Sequence, residues 1–99
     1  MKFRLSKKAE EDLEKIWLYT LQTWSREQAD RYLNLIFDEI EFLSRNPKTG
    51  QDFGLIRKNY RCSKVKSHLI FYTFKKSTDF IEVIRILHER MDLENRISE

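Results

Sequence analysis

The spacing of the hydrophobic residues changes at Asn46-Pro47, near the middle of the chain. Before this point the apolar residues recur every three or four positions, as on one face of an α-helix. After it they fall in short runs of the kind that form β-strands. Proline cannot extend a helix and biases the residue before it towards extended geometry. The chain is therefore expected to join a helical half to a sheet half.

Two helices are predicted before the break. Ser6 is a plausible N-cap for the first helix, and Ser25 begins the second, because Ser25 and Gln28 have the spacing of a capping box. The apolar stripe of the first helix consists of Ala9, Leu13, Ile16, Trp17, Thr20 and Trp24. That of the second helix consists of Ala29, Tyr32, Leu33, Ile36, Phe37, Ile40 and Leu43. Because only a residue or two separates the helices, we expect an antiparallel hairpin.

Strands are predicted on both sides of the helical hairpin. Residues 2–5 alternate apolar and basic side chains, as a short strand does. After a loop over residues 51–59, three further strands are expected at residues 60–65, 68–75 and 80–88. Their connections are short enough for antiparallel hairpins, and residues 91–96 are expected to add a brief helical turn.

These elements predict an α+β fold in a single domain of residues 1–99. It has an N-terminal strand, an antiparallel helical hairpin on one face of an antiparallel sheet, and a three-stranded C-terminal meander. With 40% hydrophobic residues the chain can build a compact core. Cys62 is the only cysteine, which excludes an intrachain disulfide and a thiolate zinc cluster.

Several function classes find no support in the sequence. There is no Gly-rich phosphate loop, and His68 and His88 lack the carboxylate spacing of a metal site. We therefore expect neither a cofactor nor a metal. No stretch has the character of a signal peptide or the length of a membrane span, so a cytoplasmic protein is expected.

The charges are distributed unevenly along the chain. Residues 9–44 contain nine acidic and three basic side chains, whereas residues 45–76 contain nine basic side chains and only Asp52 as an acid. The net charge is +3. One side of the molecule should therefore present a positive surface, suited to an acidic peptide, an acidic protein or nucleic acid. The alternative for the individual lysines is a solvated face.

The segment VIRILHERMD, residues 83–92, contains the residue types of an RNA-cutting site. Arginines could stabilise the charge of a phosphorane-like transition state, and His88 could transfer a proton. However, strand alternation groups Val83, Arg85 and Leu87 on one face and places His88 on the other. Glu89 shares the face of Arg85, where a carboxylate beside arginines is better explained as an ion-pair partner than as a base.

Each of these side chains also has a structural explanation. A lone buried charge is expensive, so Arg85 is expected on the face that the helices leave open, or else in a salt bridge to Glu82 or Glu89. A histidine next to an apolar face is more often a packed, hydrogen-bonded core residue. We therefore interpret His88 as a residue that caps the core, and the segment as the edge of a binding surface.

Stretches along nearly the whole chain resemble the ParE toxins of bacterial toxin–antitoxin systems, within the RelE/ParE superfamily. The matching stretches are AEEDLEKIWLYT, WSREQADRYL, NPKTG, IRKNYR, SHLIFYTF and VIRILHERMD, in the family's order. One departure is Asn59 in IRKNYR, where the family pattern usually has glycine. Asparagine tolerates a positive φ better than most residues, so the turn should be retained.

The resemblance implies the same α+β fold and a growth-inhibiting toxin that traps DNA gyrase with cleaved DNA, without being a catalyst itself. It implies a cognate ParD-like antitoxin, which would carry the complex to operator DNA in a plasmid-stabilisation type of module. The RelE branch shares the fold but cuts messenger RNA on the ribosome, using basic sheet residues and a tyrosine or histidine near the end of the last strand. Arg61 and Arg85 match the basic positions, but no tyrosine follows Arg90, which favours the gyrase inhibitor.

The surface expected to bind gyrase or the antitoxin consists of Arg57, Arg61, Arg85, Glu89, Arg90 and Arg96. Apolar anchors for the antitoxin are expected at Trp17, Tyr19 and Trp24, which could equally be core residues. Two alternatives stay open at this point. One is a RelE-like ribosome-dependent endoribonuclease that uses Arg85 and His88, and the other is a toxin-derived protein that retains only antitoxin binding.

Overall fold

The computed structural model describes residues 2–55, 57–74, 77, 80–91 and 93–98. In chain order the elements are β1 (Lys2–Leu5), α1 (Lys7–Thr23), α2 (Arg26–Arg45), β2 (Gln51–Asp52), β3 (Tyr60–Val65), β4 (His68–Phe74), β5 (Phe80–His88) and α3 (Leu93–Ser98). Among the described residues, none of the helices combines the length and hydrophobicity that a bilayer span requires. The predicted α+β fold is confirmed.

The two long helices begin at the residues that the sequence predicts. The Ser6 hydroxyl accepts a hydrogen bond from the Ala9 N–H at 3.0 Å, and the Ser25 hydroxyl accepts one from the Gln28 N–H at 3.1 Å. Each bond satisfies a backbone donor that has no partner within its helix. The N-cap predictions are therefore confirmed.

The sheet has five strands in the order β1-β5-β4-β3-β2. The expected meander of β3, β4 and β5 is antiparallel, but β1 pairs parallel with β5, so the sheet is mixed rather than wholly antiparallel. Strand β2 lies within the segment predicted as a loop and pairs with Cys62 and Arg61 of β3. Residue 75 and the connection predicted at residues 76–79, except residue 77, lie outside the described residues.

Strand β5 contains a β-bulge at Ile84. Phe71 of β4 pairs with Arg85, but the next residue, Tyr72, pairs with Val83. Val83 therefore packs in the core beneath the helices, although Arg85 lies opposite Phe71 on the other face. The predicted shared face of Val83 and Arg85 is wrong, because an extra residue in one strand shifts its alternation by one position.

Each face of the sheet has its own hydrophobic cluster. The larger cluster lies between the helical hairpin and the sheet and is formed by Ala9, Leu13, Ile16, Ile36, Ile40, Leu43, Ile70, Tyr72, Ile81, Val83 and Ile86. On the opposite face, Ile97 of α3 packs on Cys62, Phe71 and Leu87. Helix α3 therefore covers part of the face that the hairpin leaves free.

Two connections near β3 use left-handed backbone geometry. Asn59 has a φ of 70° immediately before β3, and Lys66 has a φ of 55° in the turn between β3 and β4. The expectation for Asn59 is confirmed, since asparagine adopts this region more readily than most residues.

Candidate functional site

Arg85 lies in a buried ion pair rather than on an open surface. The residue is only 8% exposed. Its Nε donates to Asp12 Oδ2 at 2.8 Å and its Nη2 donates to Asp12 Oδ1 at 3.1 Å. Its Nη1 donates to the backbone carbonyl of Arg96 at 3.1 Å. The expected open face is wrong, and the ion-pair partner is Asp12 instead of Glu82 or Glu89.

The edge of β5 explains why Asp12 takes this role. The ladder between β1 and β5 ends at the pair Leu5 and Val83, so no strand among the described residues lies on that side of the following residues of β5. Asp12 Oδ2 accepts the Ile86 N–H at 3.0 Å in addition to the guanidinium group. The Asp12 carboxylate of α1 thus accepts a backbone N–H at the edge of β5 and also compensates the buried charge of Arg85.

The other predicted surface residues have different environments. The Nη1 atom of Arg61 donates to the carbonyls of Gly50 at 2.8 Å and Lys48 at 3.3 Å, so this guanidinium holds the connection after α2. The guanidinium of Arg57 is exposed and lies 6.0 Å from the centre of the Tyr60 ring. Arg96 is also exposed.

Glu89 forms an exposed ion pair, in which Lys64 Nζ lies 2.8 Å from Glu89 Oε2. The hydrogen bond from Lys64 is the main cause that lowers the pKa of Glu89 below its ordinary value. Arg90 follows at the end of β5 and lines a cleft on the helical side of the sheet. The six predicted surface residues therefore do not form one surface. Arg61 and Arg85 make structural hydrogen bonds, Arg57, Glu89 and Arg96 are exposed, and Arg90 lines the cleft.

The cleft has a volume of about 1050 Å³ and lies between the helical hairpin and the ends of β4 and β5. Its large apolar and aromatic lining residues are Ile16, Tyr19, Trp24, Tyr32, Leu35 and Met91, and its basic lining residues are Lys15, Arg31, Lys66 and Arg90. None of the described lining residues is acidic. The cleft therefore combines apolar walls with positive charge.

The three predicted apolar anchors do not lie together. Tyr19 and Trp24 line the cleft and are 66% and 74% exposed, which is unusual for side chains of this size. Trp17 is not part of the cleft. Its indole Nε1 donates to Asp30 Oδ1 at 2.9 Å and thereby links α1 to α2.

Two histidines and a tyrosine meet inside the cleft. His68 and His88 are opposite each other in the β4–β5 ladder, with ring centres 5.3 Å apart and ring planes at 82°. The Tyr32 hydroxyl of α2 lies 2.6 Å from His68 Nδ1. His88 Nδ1 accepts the backbone N–H of Arg90 at 3.1 Å.

This environment lowers the pKa of His68 to about 4, because burial and the neighbouring His88 both disfavour the charged ring. His68 and His88 are twenty residues apart in the sequence and were not expected to lie side by side. The signal was nevertheless available, since the predicted strands place His68 first in one strand and His88 last in its antiparallel neighbour. No group of three or more potential metal ligands occurs within the described part of the chain.

Comparison with known sequences identifies the family. A model of the ParE toxin of the type II toxin–antitoxin system parDE matches residues 3–93. Toxin ParE1 of Caulobacter vibrioides is 37% identical over 90 residues, which cover 91% of each chain. Toxin ParE1 of Mycobacterium tuberculosis is 34% identical over 96 residues, which cover 97% of each chain.

Solved structures show the same fold. A chain described as the chromosomal ParDE toxin–antitoxin system from P. aeruginosa matches with a TM-score of 0.76 at 18% identity, covering 89% of this chain and 95% of that one. A YoeB/ParE toxin from Agrobacterium tumefaciens matches with a TM-score of 0.66 at 20% identity, with coverages of 89% and 98%. Together with the sequence relatives, these similarities confirm the resemblance. The chain belongs to the family of ParE toxins of type II toxin–antitoxin systems.

Proposed function

We propose that this ParE-type toxin acts in the cytoplasm by binding DNA gyrase and blocking replication, without catalysing a reaction. The observation that carries the non-catalytic part is the environment of the two sheet arginines. Arg85 is bonded to Asp12 and to the Arg96 carbonyl, and Arg61 is bonded to the carbonyls of residues 48 and 50. A phosphodiester-cutting site that used these two sheet arginines would need their guanidinium groups free to reach the phosphate.

Purified toxin tests the proposal in a gyrase supercoiling assay with relaxed plasmid. We expect micromolar toxin to reduce supercoiling and to increase the amount of cleaved plasmid. The exposed cation of Arg57 belongs to the proposed gyrase surface, so Arg57→Ala should weaken the inhibition. Lys7→Ala, which removes an exposed positive charge from α1, is the matched control. Unchanged supercoiling together with unchanged plasmid cleavage would contradict the gyrase assignment.

The cleft is the proposed binding site of a ParD-like antitoxin. Its apolar walls, including Tyr19 and Trp24, suit an amphipathic segment, and its basic rim suits acidic side chains on that segment. An antitoxin bound there would neutralise the toxin, and the complex would reach operator DNA only through the antitoxin. The charge complementarity between a cleft without described acids and an acidic partner supports this placement.

The placement can be tested by co-expressing the toxin with the product of the adjacent reading frame. Trp24→Ala should weaken the purified complex by about tenfold or more, as loss of an interface tryptophan commonly does. Leu18→Ala is the matched control, because Leu18 of α1 is, like Trp24, a large exposed apolar residue but lies outside the cleft. Equal affinities for the two variants would place the antitoxin elsewhere.

A RelE-like ribonuclease is the second candidate, and the His68–His88 pair is the observation that favours it. Two imidazoles could act as base and acid in cleavage through the 2′-hydroxyl. Toxin expression should then produce new 5′ ends within translated codons, and His88→Ala should abolish them. Intact transcripts with an induced DNA-damage response would exclude this candidate, and expression without any growth defect would indicate a protein that retains only antitoxin binding.

A further inference from the structure

The two imidazoles in the cleft are held in defined orientations through the same ring atom. His68 Nδ1 lies 2.6 Å from the Tyr32 hydroxyl, and His88 Nδ1 accepts the Arg90 N–H at 3.1 Å. The edge-to-face contact between the rings fixes their mutual position. The atom that each ring retains for another partner is therefore Nε2.

Both Nε2 atoms are accessible from the cleft. Within the part of the chain that the structure describes, neither atom has a hydrogen-bond partner. No buried side-chain nitrogen or oxygen of the described residues is left unpaired either. An unpaired Nε2 must therefore reach solvent, and both histidines line the cleft.

The hydrogen bonds at Nδ1 also assign the protons. Because His88 Nδ1 accepts a backbone N–H, the proton of the neutral ring is on Nε2. The Tyr32 hydroxyl is closer to His68 Nδ1, at 2.6 Å, than to the Val65 carbonyl, at 3.3 Å. The hydroxyl donates its one proton to the Val65 carbonyl, so it accepts the Nδ1–H of His68, and Nε2 of the neutral His68 ring carries no proton. With both rings neutral, the cleft thus contains one N–H donor, His88 Nε2, and beside it a His68 Nε2 that becomes a donor when His68 takes up a proton.

The charge around these two Nε2 atoms is positive and incompletely compensated. Lys15, Lys66 and Arg90 line the cleft, and none of them forms an ion pair with another described residue. Arg31, the fourth basic lining residue, pairs with Glu27 on the exposed helix surface. An N–H donor in a positive field, beside an imidazole that can take up a proton, favours an anion.

We propose that His68 and His88 form a recognition site for one carboxylate, supplied by an Asp or Glu side chain of the antitoxin segment in the cleft. This inference rests on the proposed placement of the antitoxin. Tyr19, Trp24, Leu35 and Met91 surround the cleft with apolar surface, which suits a peptide with apolar anchors around a single acid. A nucleic-acid backbone carries a charge at every nucleotide and would leave this apolar surface poorly matched.

Carboxylate binding should be coupled to proton uptake. An anion beside His68 would favour its charged form and raise its pKa above the present value of about 4. The charged and titratable groups around His68 are Asp12 and Lys15 of α1, Arg31 and Tyr32 of α2, and Lys66, His88, Glu89 and Arg90 at the ends of the strands. Asp12 and Glu89 raise the pKa of His68, but they do so by less than burial and His88 lower it. We expect the complex to become tighter as the pH falls below neutral.

Two variants separate hydrogen bonding from protonation. His88→Asn retains a polar atom near the position of Nδ1 but removes the Nε2 donor. It should weaken the complex with the co-expressed antitoxin by about tenfold, as expected for a lost hydrogen bond to a charged group. His68→Gln keeps a polar group near the position of Nε2 but cannot take up the proton. It should keep most of the affinity at neutral pH and lose the proton uptake that calorimetry in buffers of different ionisation enthalpy measures on wild type.

A measurement on the wild-type toxin needs no variant. Imidazole nitrogen signals should shift on titration with sodium acetate at constant ionic strength, whereas sodium chloride should not move them. A response to inorganic phosphate without one to acetate would assign the site to a phosphate ligand and overturn the proposal, as would no response to either anion. If His88→Asn binds the antitoxin like wild type and His68→Gln retains the proton uptake, the carboxylate site is wrong, whereas the antitoxin placement is tested separately by Trp24→Ala. Absence of antitoxin binding to the wild-type toxin would instead contradict the proposed function.

Discussion

Arg85 and Arg90 lie close together in the sequence, near the end of the same strand, but their surroundings are opposite. Arg85 is buried, and its guanidinium donates to the two oxygens of Asp12 and to a backbone carbonyl. Arg90 is exposed at a cleft whose described lining contains no acid. The first arginine holds the fold together, and the second is available to a partner.

The difference shows that residue type alone does not identify a working surface in this protein. Arg85 has the basic character expected of a superfamily active site, but α1 supplies a carboxylate that compensates its charge. His88 has the character of a core residue, but the hairpin register brings His68 beside it. Three experiments test this contrast between the compensated charge at Arg85 and the incompletely compensated charge in the cleft.

The largest effect is expected from Asp12→Ala. The substitution leaves the buried guanidinium of Arg85 without its carboxylate and the Ile86 N–H without its acceptor. Removing one partner of a buried ion pair costs about 3–5 kcal/mol in the free energy of unfolding. Urea denaturation measures the loss. The control is Lys64→Ala, which breaks the exposed pair with Glu89 and should cost less than about 1 kcal/mol. Equal losses of stability in Asp12→Ala and Lys64→Ala would show that the buried ion pair stabilises the fold no more than the exposed one.

A smaller effect is expected from the titration of His68. Its pKa in the folded protein is about 4, below the ordinary value of 6.5. As the pH falls from 6.5 towards 4, the unfolded chain takes up a proton at this residue and the folded protein does not, so stability is lost in this window. Because the ring is only partly buried, we discount the loss to about 1–2 kcal/mol.

Denaturation of wild type and His68→Gln at pH 7.5 and at pH 5 measures this loss. The variant should lose less stability than wild type over the same interval, while other groups contribute equally to both proteins. Identical pH dependence would show that the cleft does not disfavour the charged imidazole.

The smallest effects separate Arg61 from Arg90. Arg61→Ala removes the donor to the Gly50 and Lys48 carbonyls and should cost about 1 kcal/mol of stability. Arg90→Ala removes an exposed side chain and should change stability by less than about 0.5 kcal/mol, while it weakens the antitoxin complex. Thermal unfolding and calorimetry measure the two quantities. If Arg90→Ala lost stability but bound the antitoxin with unchanged affinity, Arg90 would be a structural residue and not a binding residue.

Most of the secondary structure could be predicted because its causes are local. Ser6 and Ser25 cap helices with donors three residues away, and Pro47 follows the last residue that caps α2. The register of β5 could not be predicted, since the bulge at Ile84 depends on the pairing with β4. The short strand β2 likewise exists only through its pairing with β3.

The candidate site was predicted in part. Tyr19, Trp24 and Arg90 were among the expected binding residues, and they line one cleft. Tyr32 was assigned to the apolar stripe and Lys66 to a turn, so neither was linked to the histidines. Contacts between these residues cross from α2 to two strands, and no local pattern in the sequence encodes them.

The sequence by itself determined the family, the two capped helices and the antiparallel meander, because motifs, caps and hydrophobic periods act over a few residues. Only the tertiary structure decided which charges are compensated. Whether a cation is structural or available depends on the partners that the fold brings to it, as Asp12 comes to Arg85 from the other end of the chain. The cleft, with His68 beside His88 and no described acid in its lining, is the outcome of that arrangement.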